Sequence, residues 1–140
     1  MTFTVTTHLN FRGQARAALD FYKHVFEGEQ TLMTYGAMGQ AAIADAPDQI
    51  IWGQVTSADG FRIMAFDVQA GRDYDRGENA FFVSLRGTSI EEIQARWSAL
   101  AEGATILQEL APSPWSAAYG MLTDRFGITW IVDVAPDASA

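Results

Sequence analysis

Apolar and polar residues alternate from the start of this chain. Phe3, Val5, Leu9 and Phe11 fall on one face of an extended segment, with Thr4, Thr6, His8 and Asn10 on the other. That period of two predicts a half-buried strand over residues 3–11. The period then changes. Ala15, Ala18, Leu19, Tyr22, Val25 and Phe26 recur at three-and-four spacing, which predicts an amphipathic helix over 14–26, with Gly28 as its left-handed stop. Residues 31–35 read as a short strand and 36–49 as a loop rich in Gly, Ala and Asp. Residues 50–56 and 61–68 then form a hairpin across Ser57-Ala58-Asp59-Gly60, where Gly supplies the positive φ of the turn.

The same order recurs downstream. Leu9-Asn10-Phe11-Arg12-Gly13 and Val83-Ser84-Leu85-Arg86-Gly87 carry one pattern, offset by 74 positions from residue 13 to residue 87. A strand over 80–85 precedes a helix over 90–102, with Ser89 and Glu92 at capping-box spacing. Its apolar stripe is Ile90, Ile93, Trp97, Leu100 and Ala101, and Gly103 ends it. Strands over 104–110, 119–123 and 128–134 follow. Ala111-Pro112-Ser113-Pro114-Trp115 reads as a rigid loop presenting an aromatic, and the turn closing on Gly127 mirrors the one closing on Gly60. Residues 70–78, dense in Gly, Asp and Arg, read as the linker between the copies. The reading is an α+β architecture of paired βαβββ modules, 3–69 and 79–134, within a single domain 1–140. Each sheet buries one face under its own helix, which leaves the other face free to line a ligand site.

Charge and composition narrow the chemistry. The formal charge of −8 and the scatter of the basic residues disfavour nucleic acid and anionic membrane surfaces as partners. No cysteine is present, which removes disulfides, thiolate nucleophiles and Cys-based metal sites. No apolar run is long enough to cross a bilayer, and the first residues lack the basic and apolar segments of a signal peptide. A cytoplasmic protein is expected. Halves of about 60 residues are marginal alone, so they should need each other or a partner chain.

His8-Leu9-Asn10-Phe11-Arg12-Gly13, Ala18-Leu19-Asp20-Phe21-Tyr22 and Val25-Phe26-Glu27-Gly28 resemble the opening of PhnB-like members of the vicinal oxygen chelate superfamily, which includes glyoxalase, bleomycin-resistance and dioxygenase families. Residues 119–130, from Tyr119-Gly120-Met121 to Ile128-Thr129-Trp130, are similar to the closing motif of that subfamily. The resemblance implies curled sheets that each form half of a cleft, commonly in a homodimer. Its metalloenzymes place His or Glu ligands at positions that fall here near Thr6, Met64, Ala80 and Ile131. None of these is a ligand type, whereas a catalytic divalent metal takes about three protein N or O ligands. No metal, no cofactor and no catalytic residue are therefore expected.

The expected ligand-binding residues are His8, Asn10, Trp52, Gln54, Met64, Phe82, Ser84, Trp115, Tyr119 and Met121. His8 lies on the polar face of the first strand, either as a hydrogen-bonding or acid–base group or as a strand histidine satisfied by a neighbour. Asn10 and Ser84 are equivalent across the repeat and either orient a ligand or satisfy each other and water. The aromatic and thioether side chains suit a flat apolar molecule, although such stripes are commonly core. Trp130 is expected against the second helix, Asp124 and Gly127 in turn formation, and Arg12 and Arg86 as solvated side chains. The expected function is binding of a small apolar or aromatic molecule in a metal-free cleft. The alternative is a metal- or acid/base-assisted lyase, isomerase or dioxygenase using His8 with Glu78 or Asp133. A third reading is a dimeric module whose cleft is filled by its own side chains.

Overall fold

Residues 3–135 are described in the computed structural model. The chain divides between Gly77 and Glu78 into two units, each a four-stranded sheet with one α-helix, and the first also holds a single 3-10 turn at Ala41–Ile43. The first contains β1 (Thr7–Phe11), α1 (Ala15–Phe26), β2 (Glu29–Thr34), β3 (Ile50–Thr56) and β4 (Arg62–Asp67). The second contains β5 (Val83–Gly87), α2 (Ile90–Leu100), β6 (Thr105–Ser113), β7 (Ser116–Thr123) and β8 (Thr129–Val134). Strand order is β1-β4-β3-β2 in one sheet and β5-β8-β7-β6 in the other. In both, the strand before the helix runs parallel to the last strand, and the remaining pairs are antiparallel. The α+β class and the βαβββ order expected from the repeat are the observed ones.

The helices meet their sheets through the expected stripes. Ala15, Ala18, Leu19, Tyr22 and Val25 are fully buried on α1, joined by Phe21, and Ile93, Trp97 and Leu100 are buried on α2. A glycine in the strand beneath makes room for each helix. A Cβ on Gly53 of β3 would stand 2.5 Å from Leu19 Cδ1, and one on Gly120 of β7 would stand 2.9 Å from the Trp97 ring. Both distances lie far inside van der Waals contact, so neither strand tolerates a side chain there. The two hairpin turns are also alike. Gly60 and Gly127 have φ of 90° and 86°, and their N–H groups donate to Ser57 O and Asp124 O at 3.1 and 2.9 Å.

Among the boundaries that differ from the sequence reading, some have a clear reason in strand pairing or packing. The first strand begins at Thr7, because its one neighbour, β4, begins at Arg62 and pairs Thr7 with Ile63. Upstream, Phe3 and Val5 are exposed rather than core. The fifth strand likewise begins at Val83, opposite Trp130, and leaves Phe81 and Phe82 outside the ladder. The proline loop is shorter than expected: β6 runs to Ser113, which pairs with Ser116, so only Pro114 and Trp115 form the tip. Pro112 is tolerated because β6 is an edge strand. Finally, Glu27 and not Gly28 takes the left-handed position after α1, with φ 50°. Gly28 is needed for packing instead, since a Cβ there would lie 2.5 Å from Thr56 O.

Candidate functional site

The face of the first sheet opposite α1 gathers five expected ligand residues. His8 and Asn10 alternate with the buried Leu9 and Phe11, so both point away from the helix. His8 is the register partner of Met64, Met64 of Gln54, and Gln54 of Thr31, which forms one row across all four strands. Beside it, Trp52 pairs with Met33 and Phe66 with Asn10. Trp52 and Met33 are 38% and 36% exposed. This face therefore alternates apolar surface with amide, hydroxyl and imidazole groups. His8 Nδ1 and Asn10 Oδ1 are 3.0 Å apart, a hydrogen bond in the tautomer that carries its proton on Nδ1. The Phe66 ring meets the imidazole edge-on at 5.0 Å. The histidine is oriented by an amide and an aromatic ring, and no carboxylate among the described residues aligns it.

The second sheet has a corresponding open face. Ser84, Ile131, Met121 and Gln108 form one row of register partners, and Arg86, Asp133, Tyr119 and Ala111 form the next. Trp115, at the hairpin tip, packs edge-on against Tyr119 at 5.4 Å. Phe82 lies just ahead of β5 and is 37% exposed. Ser84, Tyr119 and Met121 are thus brought together within this sheet, with Trp115 over its end. A separate surface groove of about 400 Å³ is lined by Thr4, Val5, Thr6, Thr7, Gly60 and Arg62, and none of the expected ligand residues lines it.

Two arginines depart from the solvated state expected for them. Arg86 Nε and Nη2 donate to Asp133 Oδ1 and Oδ2 at 3.1 and 2.8 Å. The hydrogen bond and then the charge of Asp133 raise the pKa of the guanidinium above its ordinary value. Arg12 donates to the backbone carbonyls of Gln69 and Arg72, its guanidinium lying 5.7 Å from the Tyr74 ring. The Tyr74 hydroxyl in turn donates to Asn10 O at 3.1 Å, so much of the expected linker is fastened to the first unit. The available signal was register: Arg86 and Asp133 are direct partners on parallel strands, and no local pattern reveals that.

The other buried carboxylates build structure. Asp67 Oδ1 accepts from Gly13 N and Ala15 N at 2.7 and 3.1 Å, and Oδ2 accepts from Ile50 N at 2.8 Å. It caps α1 from another strand, since Gln14 makes no side-chain cap. Tyr35, fully buried, donates its hydroxyl to Asp67 O at 2.6 Å. Burial, and secondly the Asp67 charge, push the Tyr35 pKa up. Asp124 accepts from Phe126 N, Ile128 N and the buried Trp130 indole at 2.9, 3.1 and 2.9 Å, which fixes both the turn and the core tryptophan.

A divalent metal does not fit the residues present. Met64 and Ile131 lie on the open faces and carry no suitable donor, while Thr6 and Ala80 lie outside the strands. Among the described residues no three His, Cys, Asp or Glu side chains gather. Both Asp133 oxygens are already engaged by Arg86.

Paired βαβββ units, each with an open sheet face, are the architecture of the vicinal oxygen chelate superfamily. A glyoxylase/bleomycin resistance protein/dioxygenase domain from Frankia sp. EAN1pec shares the fold at TM-score 0.67 and 12% identity, over 97% of this chain and 99% of that one. The chain belongs, more narrowly, to the 3-demethylubiquinone-9 3-methyltransferase family, whose model matches residues 3–133, and within the superfamily it is PhnB-like. The protein PA1353 from Pseudomonas aeruginosa is similar at 30% identity and TM-score 0.85, over 97% of this chain and all of that one. A putative 3-demethylubiquinone-9 3-methyltransferase, PhnB protein, from Bacillus cereus is similar at 25% identity and TM-score 0.75, over 95% and 100%. No curated protein matches the chain.

Proposed function

We propose that this PhnB-like protein binds a small apolar or aromatic molecule against the open faces of its sheets, without a catalytic metal. The observation that carries the reading is the composition of those faces. Trp52, Met33, Phe82 and Trp115 are exposed beside His8, Asn10, Gln54 and Ser84. An apolar surface with a few oriented polar groups is what small-ligand sites use. Gly13 N and Ala15 N at the start of α1 donate to Asp67, so these two amides are not available to an anionic group.

The test is a thermal-shift series with planar aromatic compounds, since a ligand that binds only the folded state raises Tm. At least one compound should shift Tm in a saturable manner. Trp52→Ala or Trp115→Ala should weaken that binding by about tenfold, the loss of an aromatic contact of roughly 1.4 kcal/mol. No shift with any compound would overturn the reading. The competing acid–base or metal enzyme, using His8 with Glu78 or Asp133, requires stoichiometric metal or turnover that His8→Ala abolishes. Metal analysis of untagged protein tests the metal arm, and a turnover assay comparing wild type with His8→Ala tests the acid–base arm.

We further propose a homodimer, in which a second copy covers the apolar side chains ahead of β1 and β5. Phe3, Val5 and Phe81 are 74%, 96% and 73% exposed, which is costly to leave in water. Light scattering should give twice the chain mass, and Phe3→Ser with Phe81→Ser should shift it toward the monomer. No helix among the described residues is long and apolar enough to cross a membrane. A cytoplasmic setting is proposed, in line with the cysteine-free sequence.

A further inference from the structure

We infer that Arg86, held by Asp133, recognises a neutral carbonyl oxygen on a planar aromatic ligand at the open face of the second sheet. The inference rests on the small-molecule reading above and names the ligand chemistry for that face.

The geometry of the pair is what distinguishes it. Asp133 takes the Nε and Nη2 edge of the guanidinium at 3.1 and 2.8 Å. This leaves both Nη1 hydrogens and one on Nη2 without a protein acceptor among the described residues. The two partners differ in exposure: the Asp133 side chain is 4% exposed and that of Arg86 is 56%. A buried carboxylate therefore anchors an accessible donor fork. Arginine so held loses little further freedom when it donates to a ligand.

The surroundings fix the rest of the ligand. Tyr119 is the register partner of Asp133, and Trp115 packs edge-on against it, so an aromatic pair flanks Asp133 on the side away from Arg86's strand. Ser84 and Ile131, two residues before Arg86 and Asp133 on the same face, continue the surface. Charge selects a neutral acceptor. The ion pair has no net charge, and the chain carries −8, which disfavours an additional anion. Arg12 in the first unit is held differently: its Nη2 donates to Gln69 O and Arg72 O, and its side chain is 28% exposed against 56% for Arg86.

Three probes of one shape test the inference: naphthyl methyl ketone, ethylnaphthalene and naphthoate, titrated by tryptophan fluorescence with the full chain. The ketone should bind about tenfold more tightly than the hydrocarbon, as expected for a hydrogen bond to a charged donor, and more tightly than naphthoate. Arg86→Gln combined with Asp133→Asn keeps a hydrogen-bonded neutral pair and removes the charged fork. In that variant, folded by circular dichroism, the ketone should fall to the affinity of the hydrocarbon, whose own binding is unchanged. Arg86→Lys covers the case of a misfolded double variant and should lose most of the same preference. Equal affinity of ketone and hydrocarbon in the wild type overturns the inference while the apolar-face reading stands. Preference for naphthoate overturns the neutral class. Absence of binding by all three overturns both readings.

Discussion

The two modules share an order of elements and differ in where they place a buried carboxylate. In the first, Asp67 sits opposite Phe11 on the helix side of β4 and holds the N-terminus of α1 and the start of β3. In the second, α2 is capped locally by Ser89, whose Oγ accepts from Glu92 N at 3.3 Å, and apolar Trp130, Val132 and Val134 fill the helix side of β8. Its aspartate, Asp133, falls on the opposite face and orients Arg86. Because side chains alternate along a strand, a shift of one position moves a carboxylate from a structural duty to the surface where ligands are proposed to bind. A repeated scaffold can thus keep its packing in both copies while the second sets an aspartate-held arginine on its open face.

The largest expected effect lies at Asp67. Asp67→Ala leaves three backbone donors without their acceptor, two of them in buried bonds, and should cost about 4 kcal/mol in urea unfolding. A cost no greater than that of Ser89→Ala would break the contrast between remote and local capping. Next come Gly53→Ala and Gly120→Ala, which force a Cβ into Leu19 and the Trp97 ring and should cost about 1–3 kcal/mol each. Similar losses would sharpen the view that the helix-to-sheet contact is the conserved part of the repeat geometry. A neutral result at either position would separate the modules. Ser89→Ala should cost about 1 kcal/mol, read as a small fall in the urea midpoint.

The smallest effect at neutral pH is expected from the titration of Tyr35. Its folded pKa is raised, so the unfolded chain gives up the phenol proton first as the pH climbs. Stability from this group is complete below the ordinary value of 10.0 and is lost as pH rises through the higher folded value. Tyr35→Phe should flatten the decline of stability above pH 10 measured by urea unfolding. An unchanged alkaline slope would show that this phenol does not contribute.

Much of the fold was legible in the chain. Residues 50–56 read as a strand at the observed limits, and Gly60 and Gly127 read as turn residues, because alternation and positive-φ chemistry are local. The open-face residues His8, Asn10, Trp52, Gln54 and Met64 shared a face by parity alone. Phe3 and Val5 read as buried yet are exposed, because alternation continues past the point where a neighbouring strand exists to pair with.

What the sequence determined by itself is the repeat, the order of elements and the side of each strand that turns from its helix, since these follow from periods of two and 3.6 and from glycine at tight positions. Tertiary structure alone decided which strands lie side by side. That decided the partners of Arg12 and Arg86, the capping of α1 from β4 and the limits of β1 and β5. The physical reason is that register joins residues dozens of positions apart, and a hydrogen bond at that separation leaves no mark in the local pattern.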